Sequence, residues 1–113
     1  MKKLLIVLAM LGLCGCSNLS DLRNRGADVT LKSAKPADSV AQCILFGWQQ
    51  QRYIDSSPVN TFMQPMPGGF TVYTDNYTAA ADINSVQSET NIKLYLRTWY
   101  HRERFRDIAE KCI

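Results

Sequence analysis

Three regimes of apolar and polar positions follow one another along the chain. Leu4 to Leu13 is a nearly continuous apolar run, interrupted only by Gly12. It falls well short of the roughly 20 apolar residues that a membrane-spanning helix needs. Ser17 to Ala37 is polar, carries scattered charges of both signs and shows no sustained apolar period, so it reads as a flexible tether. Val29 and Leu31 alternate within it, but two apolar residues are a thin basis for an edge strand, and a tether is the expectation.

From residue 38 the pattern is that of a folded domain. Pro36 suits the start of a helix, with Asp38 or Ser39 as caps, and Val40, Cys43, Ile44, Gly47 and Trp48 recur at helical spacing to about Gln51. Both Cys43 and Ile44 are expected to face inward. The period then changes to two. Val59 to Gln64 is a short strand, Pro65 to Gly69 a turn, and Phe70 to Thr74 an alternating strand. Asp75-Asn76 marks a second turn, Ala79 to Val86 a weaker strand, and Gln87 to Thr90 a third turn. Asn91 to Arg97 is the clearest strand, with Ile92, Leu94 and Leu96 on one face and Lys93, Tyr95 and Arg97 on the other. A closing helix runs from about Tyr100 to Cys112, its apolar stripe formed by Phe105, Ile108, Ala109 and Cys112. The pattern predicts an α+β fold: a two-layer α-β-β-β(β)-α sandwich, with two helices on one face of an antiparallel sheet.

Charge and targeting signals change this picture at the N-terminus. Lys2 and Lys3 precede the first apolar run, which has the length of a signal-peptide core. The run ends in Leu13-Cys14-Gly15-Cys16, which resembles the lipobox of bacterial lipoproteins. Leu13 stands at the apolar third position before the cut and Gly15 at the small position just before it. Cys14 is the poorer candidate, because it would put Leu13 where a small residue belongs. The resemblance covers the first sixteen residues. It implies removal of residues 1–15, a diacylglyceryl group on the sulfur of Cys16 and a further acyl chain, such as palmitate, on its amine. Two or three chains hold a protein stably on a membrane, at about 0.8 kcal/mol per buried methylene. In such lipoproteins an Asp after the cysteine favours inner-membrane retention. Ser17 stands here, so the resemblance implies an outer-membrane location facing the periplasm.

Processing would leave 98 of the 113 residues and lower the formal charge from +3 to +1, because Lys2 and Lys3 leave with the signal. The basicity of the whole chain therefore makes no case for nucleic-acid binding. The expected organisation is a signal peptide at 1–15, a lipidated N-terminus and tether at 16–37, and a small domain at 38–113. So small a domain has a marginal core and benefits from a covalent staple. With Cys14 removed and Cys16 lipidated, Cys43 and Cys112 remain as the expected disulfide of an exported protein.

Catalytic patterns are weak. His101 is the single histidine, surrounded by Arg102, Arg104 and Arg106, and reads as an ordinary exposed side chain. Pro67-Gly68-Gly69 is turn chemistry without the Lys-Ser/Thr of a phosphate loop, and Asn76-Tyr77-Thr78 carries no weight as a glycosylation site in a bacterial lipoprotein. No enzyme activity, metal or cofactor is expected. The feature with binding chemistry is the sheet's outward face. Thr71 and Tyr73 on one strand, with Lys93, Tyr95 and Arg97 on another, would make an aromatic and basic patch. The sequence therefore suggests a lipid-anchored, protein-binding accessory module of the cell envelope. A protective inhibitor or immunity-type lipoprotein is the alternative, and wall binding through Tyr73 and Tyr95 a third reading.

Overall fold

The computed structural model describes residues 19–97 and 101–113. The signal segment, the lipobox with Cys14 and Cys16, and the expected helix start at Tyr100 lie outside the described residues. In chain order the elements are α1 (Leu19–Asn24), β1 (Val29–Ser33), α2 (Ala37–Gln49), β2 (Thr61–Met66), β3 (Gly69–Thr74), β4 (Ala79–Val86), β5 (Glu89–Leu96) and α3 (Arg102–Lys111). The five strands form one antiparallel sheet in the order β1-β5-β4-β3-β2. Helices α2 and α3 lie on one face of it, as the sequence pattern predicts.

The main core fills the space between these two layers. Val72 from β3, Ala79, Ala81 and Ile83 from β4, and Ile92, Leu94 and Leu96 from β5 meet Val40, Ala41, Ile44 and Trp48 of α2 and Phe105 and Ala109 of α3. Period-two alternation on the strands and a 3.6-residue period on the helices put these side chains on facing surfaces. Trp48 is fully buried. Its indole N–H donates to the carbonyl oxygen of Phe105 at 3.1 Å, and the two rings meet edge-on with centroids 5.2 Å apart. The helices approach so closely that a Cβ on Gly47 would collide with the Ile108 side chain. Cys43 and Cys112 form a disulfide with a Cα–Cα distance of 5.7 Å. Cys112 is buried, but Cys43 lies on the exposed side of α2, so its expected inward placement is corrected. The inward positions of that turn belong to Val40, Ala41 and Ile44.

Other boundaries move for identifiable reasons. Helix α2 starts at Ala37, ahead of the caps expected at Asp38 and Ser39, with Pro36 just before it and no side-chain cap. Strand β2 begins at Thr61 and continues through Pro65 and Met66, which the sequence reading placed in a turn. Proline is tolerated there because β2 is an edge strand, where one side of the backbone needs no partner. The turn contracts to Pro67-Gly68, with Gly68 at φ +82°. Gln87-Ser88 likewise forms a two-residue turn, because Val86 pairs directly with Glu89.

The largest correction concerns the expected tether. Val29–Ser33 is a genuine edge strand, paired with β5 from Val29–Leu94 to Ser33–Thr90. Asp28 fixes its entry: its backbone N–H donates to Leu94 at 2.8 Å, while its carboxylate accepts from the Leu96 N–H at 2.7 Å and from Arg102 at 3.1 Å. Ahead of it, residues 19–24 form a helix that crosses to the face of the sheet opposite α2 and α3.

Candidate binding face

That opposite face is the one the sequence marks as a binding surface, and the structure covers much of it from within the chain. Strand alternation places Thr71 and Tyr73 of β3, Ala80 and Asp82 of β4, and Lys93 and Tyr95 of β5 on this side. Helix α1 lies across them. Leu22 is only 2% exposed and packs with Ala80 and Tyr95, with Leu19, Tyr73 and Tyr77 around that cluster. The small side chain of Ala80 leaves the room that Leu22 occupies.

A polar network locks the helix beside this contact. The Arg23 guanidinium donates to both Asp82 carboxylate oxygens at 2.8 Å and to the Thr71 hydroxyl at 3.0 Å. The Thr71 hydroxyl in turn lies 2.8 Å from Asp82 Oδ1. This is the two-pronged pairing for which arginine is suited, and it gives a charge in the middle of a strand a partner. Burial alone would push the Asp82 carboxyl up. Hydrogen bonds from Arg23, Thr71 and Tyr95, with the Arg23 charge, outweigh burial and hold it below the ordinary carboxylate value. The bond to Asp82 raises Arg23 in return, and burial next to the Asp82 charge raises the Tyr95 phenol.

The proposed patch of Tyr73, Lys93, Tyr95 and Arg97 is thereby only partly realised. Tyr73, Lys93 and Tyr95 share one face, as expected from alternation. Tyr95, however, is 6% exposed under α1 and serves the internal network, so it cannot present itself to a partner. Lys93 is exposed, and Arg97 is exposed just beyond the end of β5. Sequence reasoning missed Leu22, Arg23 and Asp82. Two signals for them exist: Leu19 and Leu22 at i and i+3, and an aspartate inside the small, apolar stretch of Ala79 to Ile83, where a buried charge demands a counterion.

Part of this surface remains open. Phe62, on the edge strand β2, is 48% exposed and faces Tyr73 across the pair, with ring centroids 5.7 Å apart. Tyr73 stacks on Tyr77 at 5.9 Å, the planes inclined by 13°. Tyr77 holds its place from a left-handed backbone conformation, φ +56°, in the β3–β4 turn. There the Asn76 side-chain oxygen accepts from the Thr78 hydroxyl at 2.9 Å, so Asn76-Tyr77-Thr78 functions as a turn. On the helix side, Phe46 is 58% exposed on α2, one turn after Cys43, and Ile113 follows Cys112 at the chain end, 39% exposed.

The remaining candidates are accounted for locally. His101 takes a left-handed conformation, φ +60°, immediately before α3. Arg106 pairs with Glu110 at 3.3 Å, one turn on, as a solvated helix face does. Among the described residues no group of His, Cys, Asp and Glu is arranged to hold a metal ion. No described helix is long and apolar enough to cross a membrane. Comparison with protein-family models, curated proteins and solved structures returned no match.

Proposed function

We propose that the chain is a lipid-anchored envelope protein, held through Cys16 and acting as a protein-binding accessory module on the periplasmic side of the outer membrane. The observation that carries this reading is the position of α1. The first described element, α1, begins at Leu19, three positions beyond Cys16, and sits on the sheet face opposite α2 and α3. Lipid on Cys16 would therefore hold the sheet face toward the bilayer and leave the helix layer turned away from it. That outer layer presents Phe46 beside a disulfide that fixes α2 to the end of the chain. A rigidly held, exposed aromatic side chain is the kind of group that dominates binding energy at protein interfaces. The partner face moves accordingly from the sheet to the helices.

The test is crosslinking in intact envelopes, with a photoreactive residue at position 46 in one strain and position 93 in another. A discrete, stoichiometric protein adduct from 46 supports the reading. No envelope-protein adduct from either position in resting cells would count against an accessory subunit. Adducts formed only after challenge with a toxin or wall-degrading enzyme would replace it with the protective-inhibitor reading.

A further inference from the structure

The open aromatic patch borders the cluster on which α1 packs. Phe62, Tyr73 and Tyr77 form a continuous ladder, and Leu19, Tyr73 and Tyr77 each pack against the Leu22–Ala80–Tyr95 cluster. Leu19 is three Cα–Cα steps beyond Cys16, with Ser17 and Asn18 between, so their Cα atoms cannot be more than about 11 Å apart. With its acyl chains in the hydrocarbon, Cys16 would sit at the level of the lipid glycerol groups. The headgroup layer beyond adds only about 5–7 Å on each side of the hydrocarbon core. The connection is thus too short to lift the start of α1 well clear of the surface.

We infer that the Phe62–Tyr73–Tyr77 ladder docks onto the bilayer to which Cys16 is anchored, fixing the orientation of the domain instead of letting it swing. This rests on the anchoring proposed above. Aromatic rings favour the headgroup region, where an apolar body and a polar tip are both accommodated. Charge on this face is mixed: Lys93 is exposed on the outward side of β5 and the buried acid Asp82 is paired with Arg23, while Asp21 of α1 and Asp75 beside the Tyr77 turn are exposed as well.

The decisive experiment reconstitutes the full-length, processed protein into vesicles of phosphatidylethanolamine and phosphatidylglycerol. A phospholipid carrying a diazirine near its glycerol backbone is included, and adducts are mapped by tandem mass spectrometry after irradiation. Docking predicts lipid adducts at Phe62, Tyr73 and Tyr77 at several times the yield at Phe46. It also predicts a several-fold loss at Tyr73 and Tyr77 in Phe62→Glu, whose exposed position spares the core. Equal labelling of the two faces, or preferential labelling of Phe46, would overturn docking while leaving the anchor intact. The N-terminal peptide in the same spectra reports the anchor separately. A Cys16 peptide without acyl mass would overturn both.

Discussion

At the scale of single residues, one bidentate ion pair decides whether the sheet's outer face is covered. Asp82 is buried in the middle of β4, and its side chain is 7% exposed. Removing Arg23 would leave a carboxylate without its counterion, which costs more than the pair itself contributes. Arg23→Ala should therefore lower the stability of α1 docking by about 2 kcal/mol, read from urea unfolding. Arg23→Ala with Asp82→Ala should recover part of the loss; a double variant as weak as the sum would show that the two side chains do not interact. The same pair sets a pH dependence. Because the folded-state value of Asp82 lies below the ordinary one, its contribution is complete above the ordinary carboxylate range and is lost as pH falls through the lowered value. Tyr95 has the opposite sign: its raised value makes the contribution complete below the ordinary phenol range and lost as pH climbs through it. Docking should thus be level across neutral pH and weaken at both extremes. Unfolding midpoints of wild type and Asp82→Asn against pH would check the acid limb, which the variant should lack.

At the scale of elements, α1 has no stability of its own. A helix of six residues cannot offset the cost of nucleation in water, so its existence depends on what it touches. Leu22 supplies most of the apolar contact, and Leu22→Ala should cost about 2 kcal/mol at this site. Amide exchange in residues 19–24 should then rise toward the free-chain rate, while β3 and β4 keep their protection. Equal loss of protection across the sheet would mean that α1 is integral to the core. This dependence also explains what was legible in the sequence. Elements α2, β3, β5 and α3 carry their own periodicity, because each buries one face against the main core, and their pattern survives in isolation. The disulfide was legible on a different ground, because with Cys14 and Cys16 assigned to the lipobox Cys43 and Cys112 are the thiols that remain, whereas the helical period misplaced Cys43 inward. Helix α1 buries Leu22 alone, and β1 alternates only the half-buried Val29 and Leu31 with the buried but polar Ser33, so neither writes a sustained apolar period into the sequence. Their positions follow from tertiary contacts, Arg23 with Asp82 and Asp28 with Leu96, which sequence spacing does not express. The candidate site was legible by face but not by exposure, because alternation assigns Tyr95 a side of the sheet and says nothing of what lies over it.

At the scale of the molecule, two fastenings act on opposite sides of one sheet. The disulfide joins α2 to the residue just past α3, across a sequence separation of 69. Closing a loop of that length restricts the unfolded chain enough to stabilise the fold by about 4 kcal/mol in the loop-entropy account. Helix α1 and strand β1 lie outside that loop and are secured instead by Arg23, Leu22 and Asp28. Cys43→Ser with Cys112→Ser should therefore lower global stability by about 4 kcal/mol, measured in sulfate buffer so that the weakened fold remains populated. The more informative quantity is its combination with Arg23→Ala. The guanidinium contacts the outer face and the disulfide the helix layer, with the sheet between them and no shared partner. Independent fastenings should give losses that add to within about 0.5 kcal/mol. A larger deviation would mean that the sheet transmits strain between its faces. Contact made at Phe46 on the helix layer would then alter how α1 sits on the opposite face of the sheet.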